Sequence, residues 1–399
     1  MAAALLSALI SATPTAGSWE LVFLTEAAAK GGVCLDGTPG AYYIRRNTTA
    51  GAPVDPTKWI VFMEGGGWCA SNENCLSRAS NGYALGSSKN YPTIASGLEG
   101  TGLFDDPAFE NHTVVYSKYC DGGSFSGAVS NPPVQVANGS AGVATIYYRG
   151  RGIFDGIWDS LLDAQGLSAA TTLLYAGCSA GGLTTYMHAD YVASLMGQRV
   201  PGAKVVALAD AMFSLDHRDV QNDVHWEAMM QFVYSMDPDG ASNNEACVVA
   251  MAEKYGNRSE GWRCNFGGSV AQYVATPLFV LNSKFDTWQG AQIIGEHDCA
   301  SNISSCSANV KAFWLDYAKE MVNLANALPA RHGAFLHNCQ SHCQTSDGIW
   351  DTYSVDGVVM QDAFKEWYVA ALAGTQARVP RHIDSCAGVF PCPGDVCPR

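Results

Sequence analysis

The pentapeptide Gly177-Cys178-Ser179-Ala180-Gly181, the only G-x-S-x-G in the chain, constrains the fold more than any other segment. Ahead of it, TTLLYA (171–176) is an apolar run that reads as a buried strand. Behind it, GLTTYMHADYVASLM (182–196) has helix-compatible spacing and few breakers. Two glycines let a backbone pass from strand to helix in a turn too sharp for side chains, leaving the serine hydroxyl at the strand's end. The runs WIVFME (59–64), TVVYSKY (113–119), KVVALAD (204–210) and PLFVLNS (277–283) read as further buried strands, and 311–328 as a second helix. Strands alternating with helices predict an α/β fold, a mostly parallel central sheet flanked by helices. Such sheets carry their sites beyond the carboxyl ends of the strands.

Composition narrows the function classes. With 399 residues, 48% hydrophobic and 15% charged, the chain can bury a large core and is too apolar for disorder. Neither a repeat nor a clear linker divides it, so residues 17–399 are expected to form one domain. Its 23 Lys+Arg against 37 Asp+Glu give a net charge of −14, and basic residues never cluster beyond pairs. That excludes a nucleic-acid footprint. No run reaches the roughly 18–20 apolar residues of a membrane span. The oligomeric expectation is a monomer.

The 14 cysteines include no C-x2-C spacing, which argues against zinc-ribbon and thioredoxin-like sites. Five N-x-[ST] acceptors, at Asn47, Asn111, Asn138, Asn257 and Asn302, accompany them. Together they predict a secreted, disulfide-rich glycoprotein. Cys69–Cys75 and Cys299–Cys306 are the expected short-range pairs. Residues 1–16 hold an apolar, signal-like stretch that lacks the usual basic n-region. Residues 380–399, with three Cys and four Pro, read as a disulfide-tied tail.

Ser179 is the candidate nucleophile, and a serine needs a base oriented by an acid. On strand–turn–helix elbows of this kind the chain order is Ser, then acid, then His. Asp286 follows the strand PLFVLNS; Asp210, closing KVVALAD, is the rival acid. The base is sought in HGAFLHNCQSHCQ (332–344), where His342 lies between Cys339 and Cys343 and His337 is the alternative. A zinc site from His337, Cys339, His342 and Cys343 would cramp four ligands into seven residues, so no metal is expected. Upstream, Glu64-Gly65-Gly66-Gly67-Trp68-Cys69 directly follows WIVFM. Its backbone N–H groups at Gly66 or Gly67, with that of Ala180, suit an oxyanion hole.

With these pieces placed, the sequence resembles the pectin acetylesterase family, whose relatives include the animal carboxylesterase Notum. The resemblance rests on ELVFLTEAAAKGGVCLDGTPG, VFMEGGGWC, SKYCDGGSFSG, YYRGRGIFD, AGCSAGGL, TPLFVLNSKFDTWQ, HNCQSHCQ and the Cys-Pro tail. It implies an α/β-hydrolase-like fold and a cofactor-free serine esterase with Ser179, Asp286 and His342 as its triad. It also implies that Gly66, Gly67 and Ala180 bind the oxyanion. The implied substrate is an acetylated, pectin-type cell-wall polysaccharide met outside the cell. A Notum-like removal of a fatty acyl group from a protein is the alternative, and an inactive glycan-binding module a third reading. Trp68, Tyr119, Phe125 and Trp288 adjoin the catalytic segments as candidate pocket walls. Arg149 and Arg151 are candidate cations for a polyanionic substrate, with a structural ion-pair role as the competing reading.

Overall fold

The computed structural model describes residues 18–384, apart from 49, 96, 97, 99–101, 140, 141, 238, 239, 296, 298, 300, 301 and 347. The signal-like stretch and residues 385–399 of the tail lie outside the described residues.

Each of the five apolar runs forms a strand, and together they make the middle of one sheet. In chain order the strands are β1 (Trp19–Phe23), β2 (Ala41–Arg45), β3 (Asp55–Met63), β4 (His112–Ser117) and β5 (Thr172–Cys178). They continue with β6 (Lys204–Asp210), β7 (Leu278–Ser283), β8 (Gly333–His337) and β9 (His382–Ile383). The sheet order is β1-β2-β4-β3-β5-β6-β7-β8-β9. Only the β1–β2 and β2–β4 pairings are antiparallel. The pairings from β4 through β3, β5, β6, β7, β8 and β9 are all parallel.

The runs are continuously apolar because both sheet faces are covered. Val61, Met63, Leu173 and Tyr175 enter one core with Ile153 and Trp158 of α1 (Gly150–Asp163) and Leu183 of α2 (Ala180–Arg199). Ile60, Phe62, Leu174 and Ala176 enter the other, with Phe364 and Trp367 from the last long helix, Met360–Ala373. Each such side chain contributes about 1.5–3 kcal/mol on burial, so a one-residue slip in register would exchange the two cores at prohibitive cost. The result is an α/β-hydrolase-like sheet with helices on both faces.

Five disulfides are described: Cys34–Cys120, Cys69–Cys75, Cys178–Cys343, Cys247–Cys264 and Cys299–Cys306. Cys339 is disulfide-bonded as well. The two short-range pairs match the expectation from spacing. The 165-residue span closed by Cys178–Cys343 was not foreseeable from spacing. Among the described residues, no helix is long and apolar enough to cross a membrane.

Candidate active site

Ser179 lies between the last residue of β5 and the first of α2, with φ 58° and ψ −123°. A residue with a Cβ adopts such a backbone only where its surroundings force it, at a cost of about 1–3 kcal/mol. The flanking glycines do the forcing. A Cβ on Gly177 would lie 2.3 Å from the Gly181 carbonyl oxygen, and one on Gly181 would lie 1.9 Å from that of Met63. The Ser179 N–H donates to the Asp210 carbonyl at 3.0 Å, fixing the elbow to the neighbouring strand. Ala180 then opens a 20-residue helix, whose first N–H groups have no intrahelical partner.

The glycine loop after β3 packs directly on this elbow, since a Cβ on Gly65 would fall 2.9 Å from that of Ser179. Its carbonyls are held by side-chain donors. Arg78 donates to the carbonyls of Gly66 (2.8 Å) and Trp68 (3.0 Å), and the Tyr119 hydroxyl donates to that of Gly67 (2.8 Å). Gly66 and Gly67 have φ 149° and 66°, a path open to glycine. Among the described residues, no group accepts from the N–H of Gly66, Gly67 or Ala180. The Ser124 hydroxyl joins loop to helix, accepting from Trp68 Nε1 at 2.7 Å and donating to the Ala180 carbonyl at 2.8 Å.

Asp286 caps a short helix, α3 (Thr287–Gln292), just past β7. Its Oδ1 accepts the N–H of Trp288 (3.0 Å) and Gln289 (2.9 Å). His342, on the loop after β8, brings Nδ1 to 3.0 and 2.9 Å from the two carboxylate oxygens of Asp286. Burial alone would lower the His342 pKa. The Asp286 carboxylate, with a smaller contribution from Asp210, outweighs burial and leaves it raised above the ordinary value. Cys178 and Cys343, next to Ser179 and His342, are bonded to each other with Cα atoms 5.5 Å apart. The Cys178 and Cys343 sulfurs and a His342 ring nitrogen lie within 4.8 Å of one another. Both sulfurs are spent in the disulfide and offer no thiolate to a metal. No hydrogen bond joins Ser179 Oγ to His342, a contact that often tightens only with substrate.

The rival residues occupy other environments. His337 ends β8 wholly buried, packed on Tyr353 and Phe335, and burial pushes its pKa down to about 3. Asp210 makes no hydrogen bond to His342; its Oδ2 accepts from the Thr345 N–H and hydroxyl.

Of the candidate pocket residues, Trp288 is half-buried and stacks on His342 with centroids 5.9 Å apart. Trp68 is buried at 5.4 Å from Trp288 and 5.6 Å from Trp226. The expectation that Tyr119 and Phe125 face a substrate is corrected: both are wholly buried, packed together beneath the glycine loop. Arg149 and Arg151 make the contacts of the competing, structural reading. Arg149 donates to the Asn131 carbonyl and lies over Tyr147, while Arg151 pairs with Asp155 and lies over Tyr191. Both serve the fold. Trp226, Arg78, Ser124 and Thr345 gave no sequence signal, because their partners come from distant segments.

The chain is 30% identical over 343 residues to pectin acetylesterase 7 of Arabidopsis thaliana, covering 82% of this chain and 81% of that protein. It is 30% identical over 371 residues to pectin acetylesterase 11 of the same plant, 87% of each chain. It is 28% identical over 338 residues to palmitoleoyl-protein carboxylesterase notum1 of Xenopus laevis, 84% of this chain and 64% of that protein. The family profile for pectinacetylesterase matches residues 12–394, and the chain therefore belongs to the pectinacetylesterase family, a family of carboxylic ester hydrolases.

Proposed function

We propose that this protein is a secreted serine esterase that removes acetyl groups from pectin-type cell-wall polysaccharide. One observation carries the reading: a strained Ser179 elbow, packed against the glycine loop, is cross-linked through Cys178–Cys343 to the loop on which His342 meets Asp286. In the reaction, His342 Nε2 takes the Ser179 proton as Oγ attacks the ester carbonyl, while Asp286 holds Nδ1–H and favours the imidazolium. The N–H groups of Gly66, Gly67 and Ala180 receive the tetrahedral oxyanion, and the start of α2 adds its dipole. His342 returns the proton to the departing sugar hydroxyl, leaving an acetyl group on Ser179. Water repeats the sequence, releasing acetate and restoring the serine.

The acetyl reading is favoured over a fatty acyl one by the fuller coverage of the acetylesterase relatives. The test follows acetate release from acetylated pectin by wild type and Ser179→Ala, beside ester substrates from acetyl to long fatty acyl. The expected result is acetyl preference in the wild type and a loss of about 10³-fold or more in the variant. Long-chain preference would move the substrate to lipidated protein. Full activity in Ser179→Ala would end the serine mechanism.

A further inference from the structure

Asp210 closes β6 and joins both halves of the site without belonging to the Asp286–His342 pair. Its carbonyl accepts the Ser179 N–H at 3.0 Å. Its carboxylate Oδ2 accepts the N–H and the hydroxyl of Thr345, each at 2.7 Å. Thr345 stands three residues beyond His342 in the same loop. Between them, Cys343 is bonded to Cys178, the residue that faces Asp210 in the β5–β6 register. Oδ1 is buried and accepts no hydrogen bond among the described residues.

A neutral amide oxygen could accept the same two bonds without the cost of burying a carboxylate. Holding Thr345 therefore does not explain why this residue is an acid; its charge needs a use. We propose that Asp210 is a positioning residue for the ester hydrolysis, holding the base loop through Thr345 and supplying a second negative charge that stabilises the His342 imidazolium. The proposal rests on the serine-esterase reading above. The groups facing the histidine are Asp286 from the acid loop and Asp210 from β6; those facing Asp210 are Thr345, the Gln344 backbone and His342 from the base loop and, from α2, Tyr186. Burial pushes the Asp210 carboxyl up to about 7, while the two Thr345 bonds, the His342 charge and the Gln344 backbone pull the other way.

Two substitutions should move the acid limb of the kcat/KM profile to lower pH. Asp210→Asn keeps an acceptor for Thr345 and removes the charge. The His342 pKa then falls, so the limb moves to lower pH by about half a unit or more, and kcat drops about tenfold with KM little changed. Thr345→Val removes a bond that favours ionised Asp210, so the Asp210 pKa rises, less negative charge faces His342 and the limb again moves to lower pH, by less than in Asp210→Asn. A purely structural role would lower activity without these shifts. Each variant is compared with wild type in thermal midpoint, and Thr345→Val supplies the test if Asp210→Asn does not fold. An unmoved limb in a folded variant overturns the proposal. If Ser179→Ala is inactive while Asp210→Asn matches wild type, Asp210 alone has been misread. Retained activity in Ser179→Ala would overturn both.

Discussion

His342 is pulled by opposing forces, and the balance sets a pH dependence. Burial disfavours its charge; two Asp286 oxygens within 3.0 Å and the nearby Asp210 favour it and win. A general base must be neutral before it can accept the serine proton. Activity should therefore fall as pH drops through a midpoint above 6.5, the ordinary histidine value. Asp286→Asn should lower kcat by about 10²–10⁴-fold, because the amide can present N–H toward Nδ1 and favour the wrong tautomer. The check is a kcat/KM profile of wild type beside kcat of the variant. A wild-type midpoint well below 6.5, or a variant within about threefold of wild type, would refute this account.

At the scale of elements, what could be read in the sequence was what local chemistry determines. β3, β5, β6 and β7 are buried on both faces, so their sequences are unbroken apolar runs. The glycine loop and elbow are legible because Gly66, Gly67, Gly177 and Gly181 occupy positions that a Cβ would spoil. β1 and β2 were not read: WELVF is short and partly exposed, and AYYIR holds a buried Arg45 whose partners, the Phe104 carbonyl and Asp105, lie far along the chain. The two readings left open for Arg149 and Arg151 have the same origin, since a cation's partner is a tertiary fact. So is the Cys178–Cys343 bond. In the chain-entropy account, closing a loop of 165 residues contributes about 5 kcal/mol to the fold. It also fixes His342 beside the elbow. Replacing both cysteines by serine should cut kcat about tenfold or more in protein that stays folded at 25 °C, with KM changing less. The check pairs turnover with near-UV circular dichroism. Full turnover in the folded double variant would show that the hydrogen bonds of the loop suffice without the cross-link.

For the molecule as a whole, buried ionisable groups set how stability responds to acid. His112, His188, His332 and His337 are all buried, and burial holds each pKa below the ordinary value: about 4 for His112, about 3 for His332 and His337, and well down for His188. Asp121 and Asp210 are shifted the other way, up to about 7. Below pH 6.5 the unfolded chain protonates all four histidines while the native state protonates none until far lower pH. Between 7 and 4, the native state holds two protons on the aspartates that the unfolded chain does not. Over these six groups the difference is about two protons in favour of the unfolded state near pH 5, so their contribution to stability falls as pH falls, by about 2–3 kcal/mol per unit at most. The aspartates oppose the histidines without cancelling them. A urea midpoint measured with intact disulfides should drop steadily from pH 6.5 to 4.5. His337→Gln should flatten that slope by about one proton's worth, since glutamine fills a similar volume and does not titrate. A midpoint constant or rising over this range would mean that the aspartates, not the histidines, dominate the native state's response to acid.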